Sequence, residues 1–194
     1  WTQEPVKRLL DDIFYKFNEV YQQNSSLPPD EQVIDSKYPW YYLNTYVTNT
    51  IDGKVYVVDG QQRLTTLTLI LLSLYHNAKA NDSALSDWVK SKIFGQSGYK
   101  KTFWMRHEAH LATLESLFEE QIDEAPTNSG LTAENMVKNY KVVKSWLEQN
   151  IKGKRQLETF IFYFLRRLVL INLSVKFEKK PPSTASNPET FSKA

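Results

Sequence analysis

The sequence predicts an α+β fold in which a small sheet packs on one central helix, with a helical subdomain beside it. Three observations lead there. Stretches rich in β-branched and aromatic residues lie at Tyr38–Thr48, Val55–Val58 and Val169–Phe177 and read as strands. Apolar residues at helical spacing occupy most of the remaining chain. Between Val58 and the run Leu64, Leu67, Leu71, Leu74 and Ala78 there is only Asp59-Gly60 and a short polar segment. One strand therefore turns directly into a helix, and Ile70 and Tyr75 widen its apolar stripe enough to bury most of its circumference.

In chain order, Thr2 to Gln23 reads as a helix with Thr2 as N-cap, Pro5 in the first turn and Val6, Leu9, Leu10, Ile13, Phe14, Phe17, Val20 and Tyr21 on one face. Asp11 and Asp12 fall off that face. Neighbouring helical residues diverge by about 100°, so the two acids do not converge on one ion and are expected on a solvated surface. Asn24 to Lys37, with Pro28-Pro29, is expected as a surface loop. Tyr38–Thr48 and Val55–Val58 form a hairpin through the Asp52-Gly53 turn, with Tyr41, Tyr42 and Tyr46 half-buried.

After the central helix, Asn77 to Ser86 is expected as a polar connection and Asp87 to Gly98 carries an apolar patch at Trp88, Val89, Ile93 and Phe94. Tyr99 to Arg106 alternates like a short strand. Its Lys100, Lys101 and Arg106 among Tyr99, Phe103 and Trp104 suit nucleic-acid contacts, although a solvated surface accounts for them more simply. His107, Glu108 and His110 open a helix whose Leu111, Leu114, Leu117 and Phe118 pack inward; no third ligand makes them a metal site. Ile122 to Gly130 reads as a linker and the best boundary. Residues 1–122 are thus one unit, 123–180 a helical part with a closing strand, and 181–194 a linker-like tail. Thr132 caps a helix with Met136, Tyr140, Val143 and Leu147 inside, and Leu157 to Leu168 forms another before the alternation from Val169 to Phe177 closes the sheet.

Composition narrows the function classes. With 194 residues, 41% hydrophobic and 13% aromatic, the chain can fill a core of its own. A formal charge of +2 leaves any basic face local. There is no cysteine, which excludes disulfides, thiolate metal sites and a thiol nucleophile and suits a cytoplasmic protein. The greasiest late segment, Phe160 to Leu173, is interrupted by Arg166 and Arg167 and is too short to span a bilayer.

The chemistry concentrates where strand meets helix. Open backbone N–H groups and the helix dipole favour an anion there, such as a phosphate, and Gly60 lets the backbone come close. Arg63 can grip phosphate with two parallel hydrogen bonds. Thr65 and Thr66 can cap, donate or approach magnesium, and Asp59 can hold a metal-bound water or orient Arg63. An ordinary Asp-Gly turn with a solvated first turn of Gln61, Gln62 and Arg63 fits the same residues about equally well. The glycine spacing and lysine of a Walker loop are absent.

Asp59-Gly60-Gln61-Gln62-Arg63, continued by Leu64-Thr65-Thr66-Leu67, resembles the DGQQR signature of the ParB/sulfiredoxin-like domain at the N-terminus of GmrSD-type, modification-dependent restriction proteins. Trp1 with Leu9-Leu10-Asp11-Asp12-Ile13, Tyr41-Tyr42-Leu43, Asn139-Tyr140 and the closing helix and strand add to it. The resemblance implies a nucleoside triphosphate of the GTP, UTP or CTP type, bound with magnesium and hydrolysed. Asp59, Gln61, Gln62 and Arg63 would then be catalytic, Gly60, Thr65 and Thr66 would join them in binding, and Asp59 would carry the metal. It further implies restriction of modified DNA, usually of phage, with DNA and a nuclease domain or subunit as partners in the full-length protein. The family's first strand ends in a tryptophan that Trp1 matches, so most of that strand is expected upstream of this sequence. Asn44 stands where the family has glycine. Two rival readings are a DNA-binding or protein-interaction module without turnover and, last, a ParB-like nuclease, which the single acid of the motif disfavours.

Overall fold

The computed structural model describes residues 1–97, 100–176 and 191–193. Helix α1 (Gln3–Asn24) buries Val6, Leu10, Ile13 and Phe17, the stripe its spacing predicts. A short helix α2 (Glu31–Lys37) follows, where the sequence reading expected only loop. The difference has a local cause: Asp30 Oδ1 accepts a hydrogen bond from Val33 N at 2.8 Å and caps the helix, while Ile34 is fully buried beneath it.

Strands β1 (Tyr41–Ile51) and β2 (Lys54–Asp59) form the expected antiparallel hairpin. Helix α3 (Gln61–Ala80) leaves β2 after a single residue. Ten of its side chains are buried between Thr66 and Ala78, including Leu69, Ile70, Leu72 and Leu74, so it is the central helix of the fold. It also runs three residues past Asn77, into the expected polar connection, and Asn77 Nδ2 donates to Ser73 O within it. Helix α4 (Ser86–Ile93) and the hairpin β3 (Phe94–Ser97) with β4 (Lys100–Phe103) come next, followed by the two-residue strand β5 (Arg106–His107), a 3-10 turn at Glu108–His110 and helix α5 (Leu111–Phe118). Helices α6 (Leu131–Asn150) and α7 (Gly153–Arg167) lead to strand β6 (Leu168–Val175).

Strand β6 lies parallel to β1 and forms one edge, so the sheet is mixed, with β2, β1 and β6 as its longest strands. The short strands β7 (Phe191–Lys193) and β5 continue it beyond β2. Parallel pairing requires a long crossover, and residues from α3 to α7 supply it. The architecture is therefore α+β, with the sheet at one side and a helical body whose core runs continuously from Val6 to Phe164. No helix among the described residues is long and apolar enough to cross a membrane.

Polar ties lock this core at defined points. Arg166 donates through Nε and Nη2 to the Asp35 carboxylate, and Arg167, 5% exposed, bonds the Ile34 carbonyl at 3.1 Å. Together they pin α2 onto the end of α7. Asp11 is exposed, as its place off the apolar stripe predicts, and it also accepts from Trp146 Nε1 at 2.7 Å, which joins α1 to α6. His76 lies buried between α5 and α6, with Nε2 2.8 Å from the Phe118 carbonyl and Nδ1 2.6 Å from the Tyr140 hydroxyl. A carbonyl can only accept, so Nε2 carries the proton and Nδ1 accepts from Tyr140.

Burial holds the His76 pKa below its ordinary 6.5. The unfolded chain therefore takes up a proton that the folded chain refuses once pH falls below about 6.5, and stability drops with falling pH from there. Thermal melts between pH 8 and 5 should show this loss with a slope of at most about 1.4 kcal/mol per pH unit. The His76→Gln variant should be less stable at pH 8, yet lose less than the parent on acidification.

Candidate functional site

The site begins with a steric requirement. Strand β2 ends at Asp59, opposite Val47 of β1, where the ladder is irregular between Val47 and Thr48. The chain then reverses at Gly60, whose φ of 90° and ψ of 6° are left-handed. A Cβ on Gly60 would lie 2.6 Å from Tyr46 Cβ and 3.1 Å from Tyr46 Cα. No side chain fits, and the backbone of the turn rests directly on β1. Gly60 is the N-cap of α3, its carbonyl accepts from Leu64 N at 3.0 Å, and no side chain caps the helix. The positive end of a 20-residue helix thus opens at the surface with no acidic residue in its first turn.

Around this end lies a cleft of about 240 Å³ lined by Trp1, Val58, Asp59, Gly60, Gln61, Gln62 and Arg63. All five residues of the motif meet there. Arg63 is half-buried, and its Nη1 donates to the Thr45 carbonyl at 2.7 Å, which straps the helix start to β1. A guanidinium has five N–H donors, so this bond orients the group and leaves others for a ligand. Asp59 is exposed at the rim. Gln61 Nε2 is tied to the Val57 carbonyl at 2.9 Å, whereas Gln62 is exposed and its Oε1 accepts from the Trp1 nitrogen at 2.7 Å. The cleft therefore offers backbone N–H groups, a fixed cation and one carboxylate. Such a set can hold an anion, or an anion that brings its own divalent metal.

Thr65 and Thr66 do not line this cleft. They face a separate crevice of about 30 Å³ on the α6 side, with Trp1, Gln62, Thr132 and Asn139 among its walls. The Thr66 hydroxyl donates to the Gln62 carbonyl at 2.9 Å, inside its own helix. Asn139 is 5% exposed; its Nδ2 donates to the Trp1 carbonyl at 2.9 Å, and its Oδ1 has no partner. The crevice is large enough for a water there. Apart from the family resemblance of Asn139-Tyr140, no spacing in the sequence points from Asn139 to the motif, because 138 residues separate it from Trp1.

Asn44 adopts a φ of 125° at the register shift where β1 pairs with β6, and its Oδ1 accepts from Thr45 N at 2.8 Å. The position that resembles a family glycine thus has a backbone glycine adopts freely. The basic-aromatic cluster expected at Lys100, Lys101 and Arg106 lies with its charged groups, and Tyr99, outside the described residues. His110 is buried with Nδ1 2.7 Å from Ser129 Oγ, and among the described residues no group of three or more His, Cys, Asp or Glu could hold a metal.

A family model described as the GmrSD restriction endonuclease, N-terminal domain, matches residues 1–186. No curated protein and no solved structure matches the chain.

The contact at Gly60 makes a direct prediction. Gly60→Ala should lose more than about 2 kcal/mol in denaturant melts, since it combines a 2.6 Å overlap with a left-handed backbone. Asn44→Gly relieves strain but gives up a local hydrogen bond, and should change stability by less than about 1 kcal/mol.

Proposed function

The chain belongs to the family of GmrSD restriction endonuclease N-terminal domains, and from that premise we propose that it is the nucleoside-triphosphate-binding and hydrolysing regulatory domain of a modification-dependent, anti-phage restriction protein. The observation that carries this reading is the cleft itself, in which the side-chain-free turn at Gly60, the open start of α3 and the strapped guanidinium of Arg63 face one volume. In a ParB/sulfiredoxin-like reading of the fold, the phosphates lie against the Gly60 turn. Arg63 neutralises oxygen charge, and its bond to Thr45 fixes the direction of the remaining donors. Gln61, through its carbonyl oxygen, or Gln62, on release from Trp1, orients the attacking water or the phosphates.

Asp59 is the one carboxylate of the cleft. It fits magnesium that arrives with the phosphates, because that ion keeps several waters and needs only one or two protein carboxylates. Bound there, magnesium would supply charge neutralisation at the phosphate oxygens. Phosphoryl transfer needs such positioning more than a covalent nucleophile. Thr65 and Thr66 support the helix start from behind. The bound nucleotide would then control a nuclease domain or subunit that acts on DNA in the full-length protein.

Calorimetric titration of the full-length protein with non-hydrolysable GTP, UTP, CTP and ATP analogues and magnesium tests this. At least one analogue should bind saturably, and Arg63→Ala should weaken it by about tenfold or more. Asp59→Asn should remove the magnesium dependence and leave the fold intact, as seen in the melting curve. Absence of binding by all four analogues would overturn the nucleotide reading in favour of an interaction module.

A further inference from the structure

A second cavity lies toward the other end of α3. It measures about 410 Å³ and is formed where the β3–β4 hairpin meets α4 and α5. From Gln61 to Tyr75, beside it, the helix axis advances roughly 20 Å, so this cavity is distinct from the cleft. Its floor is three phenylalanines. Phe94 and Phe103 have ring centroids 4.5 Å apart, and Phe118 stands edge-on to Phe94 at 4.8 Å. Nothing in the proposed nucleotide chemistry uses them.

Charge on the walls is arranged unusually. Lys90 Nζ sits 5.4 Å from the Phe118 ring centre and 5.6 Å from that of Tyr75, held by the faces of two aromatic rings. Glu115 of α5 and Glu119, the residue at its C-cap, line the same cavity, yet neither approaches Lys90 as an ion pair. Opposite signs are thus held apart over an apolar floor. A ligand matching this is flat and aromatic, accepts from an ammonium and donates to carboxylates. A simple cation does not match, since the Phe118 face that would receive it already holds Lys90. The volume is in the range of small-ligand pockets.

We propose that this cavity binds a single nucleobase bearing an exocyclic amine, with the ring stacked on Phe94, which Phe103 backs from inside the core, the amine donating to Glu115 or Glu119, and a ring carbonyl or ring nitrogen accepting from Lys90. Stacking on aromatic side chains is insensitive to base identity, and the carboxylates provide the discrimination, as they do for the cytosine amine in groove readout. An unstacked base of a nucleic-acid strand presents this chemistry, and so does a free nucleoside.

Free nucleosides are the probe, because without phosphates they do not depend on the Gly60 cleft. Ligand-observed NMR titration of the intact protein should show millimolar or tighter binding of cytidine and adenosine. Uridine, which has a carbonyl in place of the amine, should bind about tenfold more weakly than cytidine. Glu115→Gln with Glu119→Gln, both exposed, should abolish that preference, Lys90→Met should weaken both nucleosides, and Arg63→Ala should change neither. Failure of every nucleoside to bind, binding of toluene alone, or a cytidine preference that survives the double glutamate substitution would each overturn the proposal.

Discussion

The motif depends on one close approach, that of the Gly60 backbone to Tyr46. Because a Cβ would fall 2.6 Å from Tyr46 Cβ, the turn can press against β1 only with glycine in place. That contact allows strand β2 to become helix α3 after one residue, and so determines where the helix points. The Arg63 bond to the Thr45 carbonyl closes the same corner from the helix side. Strand, turn and helix start therefore form one rigid piece, and the groups lining the cleft take their directions from it rather than from flexible loops.

The rest of the molecule supports this piece by burying α3. A helix apolar on most of its circumference has to be enclosed, and α4, α6 and α7 enclose it. Two of the polar groups carried inside join separate parts of the chain: His76 bridges α5 and α6 through Phe118 and Tyr140, and Asn139 ties α6 to Trp1. Hydrogen bonds of this kind add specificity to an apolar core, since any shift of one helix would strand a buried donor or acceptor. The Asn139 tie brings Trp1 over Gln62, and so completes one wall of the cleft from a distant part of the chain.

The two ends of α3 differ in chemistry for a physical reason. Its start exposes unpaired backbone donors and belongs to a polar, open cleft, where electrostatics can act on an anion. Near its C-terminal end, Tyr75 lies among aromatic side chains, stacked on Phe118 at 5.4 Å, and the adjoining cavity is walled by rings. Recognition of a flat apolar group suits the second location, and recognition of charge suits the first.

Much of this was legible locally. The strand, the Asp59-Gly60 reversal, the buried α3, the stripes of α1, α6 and α7 and the alternation of β6 all follow from periodicity and turn chemistry, which act over a few residues. Short-range cues also existed for α2, in Asp30 three residues before Val33, but the prolines at 28 and 29 masked them. The separation of Thr65 and Thr66 from the cleft follows from helix rotation once the direction of Arg63 is known, and that direction is set by Thr45. What the sequence determined by itself was the set of elements and the cluster of polar residues at one helix start, because propensity, period and steric permission are local. The tertiary structure alone decided that Asn44 sits at a bulge with positive φ, that Asp11 pairs with Trp146, that Asn139 reaches Trp1, and that Lys90 and two glutamates share one aromatic cavity. Those relations arise between residues brought together by burial, and chain spacing carries no signal for them.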